Sequence, residues 1–301
     1  MNRSVKRRSR IFGSSVVTVA LMAAMSIAGI SSSASAAPTY APEGTATTYA
    51  PEDTATIKPG VQMYTDGAQC TGNFVFTDDA GDTYVGYAAH CAGKGAATDT
   101  NGCTTESLPL GTAVTFNTGG SLLSEGKQVG TGTLAYSSWL TMQDVGETDA
   151  NTCAYNDIAL VQVDDEAVGD VNPTVPFWGG PNAVSRDGTV PGDNLYSYGN
   201  SSLRGGIELL SPKRGISVGD EGDGWSHTAY TLTPGIPGDS GSGFMDADGN
   251  AIGVLSTVAI APLPASNGIG DLGLELDYAN ANSGLSGVSL VPGTTPFNPV
   301  L

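Results

Sequence analysis

Residues 237–243 read Pro237-Gly238-Asp239-Ser240-Gly241-Ser242-Gly243. Ser240 sits here among glycines, so the backbone around it can turn sharply and aim the amides of Gly238 and Ser240 at a single point. A serine hydroxyl is a weak nucleophile at neutral pH, and it gains chemical meaning only beside a base that takes its proton. That base in turn needs a carboxylate to orient it. A Gly-Ser loop with no role has the same appearance, and a chain with 42 glycines has many such loops. The reading therefore depends on what accompanies Ser240 elsewhere.

Two segments upstream supply the missing parts in the order base, acid, nucleophile: Tyr87-Ala88-Ala89-His90-Cys91 and Asn156-Asp157-Ile158-Ala159-Leu160. Of the chain's two histidines, His90 ends an apolar run and adjoins a cysteine that can pin it. His227 closes the glycine- and acid-rich stretch 220–227 and reads as a solvated turn residue. Asp157 opens the apolar run 158–163 (IALVQV), which places a carboxylate at the start of a buried strand. For an aspartate in so acidic a chain, the plain alternative is an exposed charge at a strand edge.

Around these segments, from about residue 57, the chain breaks into short apolar or alternating runs separated by turn residues. Strands are expected at 73–77, 83–89, 113–116, 131–136, 158–163, 194–198, 207–210, 229–233, 243–245 and 251–257. Stretch 168–192 holds Pro173, Pro176 and Pro181 and no clear strand, so it divides the strands into two halves. Residues 271–282 carry apolar positions at both strand and helix spacing. Strands at this density imply an all-β fold of closed barrels or a sandwich.

The chain begins with a basic stretch (Arg3, Lys6, Arg7, Arg8, Arg10), an apolar run over 11–30 and the small residues Ala34-Ser35-Ala36, the layout of a secretory signal peptide over residues 1–36. An uncleaved anchor is the competing reading, which the Ser, Thr and Gly content of the run opposes. Removal of 1–36 leaves seven basic residues against 30 acidic ones, a formal charge of −23. Such a surface repels nucleic acid and anionic membranes. Residues 39–47 (TYAPEGTAT) and 48–56 (TYAPEDTAT) are tandem nonapeptides differing only at Gly44 and Asp53; poor in aliphatic residues, they read as a flexible linker or short prosegment over 37–56. Cys70, Cys91, Cys103 and Cys153 in an exported chain imply two disulfides, with three pairings open. With no C-x-x-C pair and two histidines, neither a metal site nor any cofactor is expected.

At the three segments the sequence resembles the chymotrypsin-like serine peptidases, and most closely their secreted bacterial branch. The family keeps its base in A-A-H-C, its orienting acid in D-I-A-L and its nucleophile in G-D-S-G. The resemblance covers about residues 57–282. It implies two packed antiparallel β-barrels over residues 57–301, the first at about 60–168 and the second at about 190–282, with the active site in the cleft between them. It also implies a catalytic triad of His90, Asp157 and Ser240, an oxyanion hole from the Gly238 and Ser240 amides, and a bridge from Cys70 to Cys91 beneath the histidine. Cys103 and Cys153 are assigned to a second bridge closing the long insertion between His90 and Asp157. Substrate would lie along Gly253-Val254-Leu255-Ser256, with Pro234 at the floor of the side-chain pocket and Ser256, Thr257 and Val258 along its wall. Pro234 offers no carboxylate for a basic side chain, and Leu255 stands where glutamate-cutting relatives have histidine, so small or medium apolar residues are the expected preference.

The chain departs from the family pattern at Gly243, where proline is usual, and at Ile236, where a cysteine is usual. Asp239 would be buried beside the oxyanion hole and needs a cation: a new amino terminus near Ile57, Arg204 or Arg214. Two further motifs are set aside. Gly215-Ile216-Ser217-Val218-Gly219 matches an α/β-hydrolase elbow, but the residues after it break helices. Asp246-Ala247-Asp248-Gly249-Asn250 starts like a calcium loop but lacks the glycine and glutamate that follow, so a hairpin turn fits better. The expectation is a secreted, extracellular, monomeric serine endopeptidase acting on proteins or peptides through an acyl-enzyme. It has no nucleic-acid partner and no membrane partner after signal cleavage. The alternative is a catalytically silent binding module of the same fold.

Overall fold

Ile158-Ala159-Leu160-Val161-Gln162-Val163 is apolar at five of its six positions, so it is stable as a strand only with both faces covered. In the computed structural model of the chain, which describes residues 47–96, 98–258 and 265–300, it runs through the middle of a sheet and only Gln162 keeps partial exposure. That sheet is built from β1 (Gln62–Thr65), β2 (Ala68–Thr71), β3 (Val75–Thr77), β4 (Thr83–Ala88), β5 (Ala113–Thr118), β6 (Lys127–Ser137) and β7 (Ile158–Val163). The short C-terminal strand Ser289–Leu290 is added at its edge beside β3, making eight strands among the described residues. Past β2 the chain curls back: Gly72 N–H bonds Val61 O and Asn73 N–H bonds Gly86 O of β4. The sheet wraps a core of Phe74, Phe76, Tyr84, Val85, Phe116, Leu134 and Leu160.

The second half is a closed antiparallel barrel of β8 (Asn194–Tyr198), β9 (Pro212–Glu221), β10 (Ser226–Thr231), β11 (Gly243–Met245), β12 (Ala251–Val258) and β13 (Asn267–Asp271). Its interior is small, with Leu195, Ala229, Phe244, Ile252, Leu255 and Ile269 as the apolar cluster. The all-β fold of two antiparallel halves joined by a strand-poor connection stands, with residues 169–193 as the connection. Gly243 lies where the halves meet. A β-carbon there would fall 2.4 Å from the Phe74 ring, which explains glycine at this place.

Several expectations change. The second nonapeptide is not a loose linker: Ala50 N–H bonds Val171 O, Asn172 Nδ2 bonds Ala50 O, Ala55 is buried and Tyr49 packs on the first core. Its one aromatic ring and its small alanines give it enough to bury. Residues 1–46, with the signal segment and the first nonapeptide, lie outside the described residues. Stretch 207–210 forms a 3-10 turn, Glu208–Leu210, with Leu209 exposed instead of a strand. Strands β1, β2, β9 and β13 were not expected; each mixes glycine or polar residues into its pattern, and tertiary pairing overrides the weak propensity. The insertion before Asp157 carries two helices, α1 (Ser138–Val145) and α2 (Ala150–Tyr155), and Asp165–Val168 adds a short α3. The ambiguous 271–282 stretch is α4 (Leu272–Asn282), capped by Asp271, whose side chain accepts Leu274 N–H.

Candidate active site

His90 sits in a single 3-10 turn, Ala89–Ala92, at the end of β4. The turn is fixed covalently, because Cys91 bridges Cys70 of β2, and the insertion is fixed by Cys103–Cys153; both pairings are those expected. Asp157 enters from the start of β7, beside β4. Its Oδ1 accepts His90 N–H at 2.8 Å and its Oδ2 lies 2.6 Å from His90 Nδ1. A carboxylate only accepts, so the proton of the neutral imidazole is on Nδ1 and Nε2 is left as the basic nitrogen. Ser256 of β12 donates to the same Oδ2 at 2.6 Å. Three donors thus hold a carboxylate that is 5 % exposed.

Burial pulls the His90 pKa down, whereas the Asp157 charge and hydrogen bond push it up. The ring is still 27 % exposed, so desolvation is partial, the carboxylate prevails, and the pKa lies above the ordinary value. Trp139 of α1 flanks the ring at 6.4 Å between centroids.

The Ser240 turn is held against this pair from both sides. Thr71 N–H bonds Ser240 O, Gly241 N–H bonds Leu255 O, and a β-carbon on Gly241 would come within 2.9 Å of Ala88 N, two residues before His90. Among the described residues the only hydrogen bond of the His90 ring is to Asp157, so Nε2 has no partner there and Ser240 Oγ is not bonded to it. Catalytic hydrogen bonds are often loose in ligand-free structures. Gly238 has φ of 94°, a conformation that only glycine takes readily. Its carbonyl is clamped by Thr71 Oγ1 at 2.7 Å and Gln69 Nε2 at 3.1 Å. Asp239, Gly241 and Ser242 N–H groups have backbone acceptors, whereas among the described residues those of Gly238 and Ser240 have none. Two free donors on one turn can receive an anionic oxygen.

Asp239 finds two cations. Its Oδ2 is 2.5 Å from Arg204 Nη2 and 2.9 Å from Lys213 Nζ, and it also receives Ser201 and Ile236 N–H groups. Arg204 was one of the candidates; Lys213 was missed. The sign that pointed to it was scarcity, since a chain with so few basic residues has few to bury at random. Arg214 instead stacks over Tyr196, and Ile57 N–H bonds Asp170 O.

At the expected pocket, Pro234 is exposed and Gly235 behind it is buried. Gly235 N–H donates to Asn267 Oδ1 at 3.1 Å, and Asn267 is fully buried on β13 opposite Val258. An uncharged amide missed by sequence reading thus links the 234–238 turn to the end of β12. Ser256 and Thr257 are half-buried.

His227 is not a solvated turn residue. It is fully buried on β10, with Nδ1 2.6 Å from Asp220 and Nε2 3.0 Å from Asp271. Strand pairing of β9 with β10 draws the acid-rich stretch over the ring, which no local pattern reveals. Ser217 is buried in β9, bonded to Thr189 and to Gly219 N–H, and among the described residues makes no hydrogen bond to a histidine. His90, Cys70 and Cys91 place their ligand-type atoms within 4.8 Å of one another, but bridged sulfurs offer no thiolate to a metal.

No family model matches the chain, and no curated protein does. Solved structures do match in fold. Protease A of Thermobifida fusca is 16 % identical over 79 % of this chain and 99 % of its own, with a TM-score of 0.46. A Nocardiopsis protease is 18 % identical over 78 % and 98 %, with a TM-score of 0.43. A glutamic-acid-specific serine protease, described as using a histidine triad in substrate binding, is 19 % identical over 78 % and 100 %, with a TM-score of 0.43.

Proposed function

We propose that the protein is a secreted serine endopeptidase that hydrolyses peptide bonds through an acyl-enzyme. The observation that carries this reading is the Asp157–His90 pair, which fixes the imidazole by Nδ1 and leaves Nε2 free beside the Ser240 turn. Ser240 attacks the carbonyl carbon as Nε2 takes its proton, and the tetrahedral oxyanion rests on the Gly238 and Ser240 amides. His90 then protonates the departing amine, water repeats the sequence on the ester, and Ser240 is regenerated. Asp157 holds the tautomer and stabilises the imidazolium throughout.

One free amide aimed at the oxyanion typically lowers the barrier by about 3 kcal/mol, which is why the orientation of the Gly238 turn matters. The mechanism uses no metal or cofactor. The test is hydrolysis of a mixed peptide library by the exported protein and by Ser240→Ala. Loss of a triad member should reduce kcat by about 10⁴ to 10⁶. Equal, negligible turnover by both proteins would favour the silent binding module.

A further inference from the structure

Behind Asp157, on the side away from His90, stands a group with no part in the mechanism above. Glu275, in the first turn of α4, is completely enclosed, and its Oε1 accepts Asp157 N–H at 2.9 Å. Its Oε2 is buried with no partner among the described residues, and no cation there is within ion-pair distance of it. The space is built around it: a β-carbon on Gly270 would fall 2.5 Å from Oε1.

The charged or titratable groups that bear on it are Asp157 at the start of β7, Asp271 at the end of β13 and Tyr136 of β6. Two are acidic and none is cationic. A helix N-terminus favours an anion, but full burial opposes one more strongly. Burial first, and the Asp157 and Asp271 charges with it, push the Glu275 pKa well above the carboxylate range, against the lowering effect of the Asp157 N–H bond.

We propose that Glu275 is a positioning residue for the Asp157–His90 pair, a neutral carboxylic acid whose carbonyl oxygen anchors the Asp157 main chain from behind. Asp157 is then held at three points: its N–H by Glu275, its C=O by Ala89 N–H at 3.0 Å, and its carboxylate by His90 and Ser256. Because Glu275 carries no charge, Asp157 is, among the described residues, the one anion bonded to the imidazole. A second anion there would raise the His90 pKa further and leave less neutral base at pH 7. The helix that carries Glu275 is itself anchored, since its cap Asp271 is bound by His227.

The proposal rests on the peptidase reading for the purpose of the pair, but its test reads His90 directly in the resting protein and does not need turnover. The His90 titration is followed by NMR on histidine-labelled protein, together with kcat and KM, in native, Glu275→Gln and Glu275→Leu proteins. Glu275→Gln keeps a neutral acceptor and should leave the His90 pKa within about 0.3 units of native. Glu275→Leu removes the acceptor and should lower kcat about tenfold or more with KM little changed, and move the His90 pKa toward its ordinary value. Since Gln cannot ionise, the Tm difference between Glu275→Gln and native protein should widen in the variant's favour as pH rises above about 4.5. A fall of about one unit in the His90 pKa of Glu275→Gln would show an ionised carboxylate and overturn the proposal. So would a Glu275→Leu protein with native titration and kcat. Should Glu275→Leu fail to fold, the Glu275→Gln titration decides alone.

Discussion

Lys213 Nζ lies 2.9 Å from Asp239 Oδ2 with both side chains wholly buried, and Arg204 completes the cation pair around that oxygen. Burial lowers the Lys213 pKa, and the Asp239 charge and hydrogen bond counter the fall. Both cations belong to the continuous chain, and Ile57 is engaged with Asp170. No new amino terminus is needed to neutralise Asp239.

A protein beginning at residue 37 is therefore expected to be active without cleavage near Ile57. Truncation to residue 57 should instead destabilise it, because Tyr49 and Ala55 lose their burial. The loss is on the order of 2 kcal/mol, or about 4 to 8 °C in Tm. N-terminal sequencing of active protein combined with thermal melts checks this; activity that appears only after cleavage at Ile57 would refute it. Lys213→Met strands part of a buried charge and should cost roughly 3 kcal/mol.

Activity should rise with pH through one ionisation centred above about 6.5, because only neutral His90 acts as base and Asp157 raises its pKa. The sign for stability is opposite. A raised histidine pKa contributes stability that is fully present below about 6.5 and is lost as pH climbs through the folded value. A kcat/KM profile flat from acid to alkali would count against a histidine base.

His227 supplies a separate pH dependence. Burial lowers its pKa, but Asp271 and Asp220 together raise it, so its stabilising charge is fully present below about 6.5 and fades as pH climbs through the raised folded-state value. Asp220 is held below the carboxylate range by Thr189 and His227 despite its burial, so its own contribution fades only as acid protonates it. His227→Gln should cost roughly 3 kcal/mol near pH 6 and flatten the alkaline decline in Tm. The midpoint of the kcat/KM profile should stay in place. A shifted midpoint would tie His227 to the base itself.

The side-chain gap expected between Pro234 and 256–258 draws no carboxylate from its named residues: Pro234 has none, and Asn267, which accepts Gly235 N–H and pairs opposite Val258, is an uncharged amide. Cleavage after small or medium uncharged side chains is expected in a peptide library. Predominant cleavage after Arg or Lys would mean that a carboxylate reaches the gap and that Pro234 and Asn267 do not bound it.

Much of the candidate site was legible because its proposed residues sit in local backbone devices. Ser240 lies among glycines, His90 beside a cysteine, and Asp157 before a mostly apolar strand, and each pattern is visible within a few residues. What was not legible is held by long-range pairing. Lys213 and Asp239 are 26 residues apart, and Asp157 and Glu275 are 118 apart. His227 looked solvated because its neighbours are acidic, yet those acids are what allow it to be buried. The Leu272–Asn282 helix stayed ambiguous because its apolar residues suit two periods; the cap at Asp271 and packing near Tyr136 decide it. The packing of 48–56 was not legible because composition measures how much a segment can bury, and one tyrosine over a prepared surface is enough.

The most direct test of the proposed chemistry is the mass of the intact protein after exposure to a fluorophosphonate, with the labelled peptide then sequenced. A single adduct on Ser240, absent from Ser240→Ala and greatly slowed in His90→Ala, is the expected result. No adduct on the native protein, or an adduct on Ser217, would contradict Ser240 as an activated nucleophile.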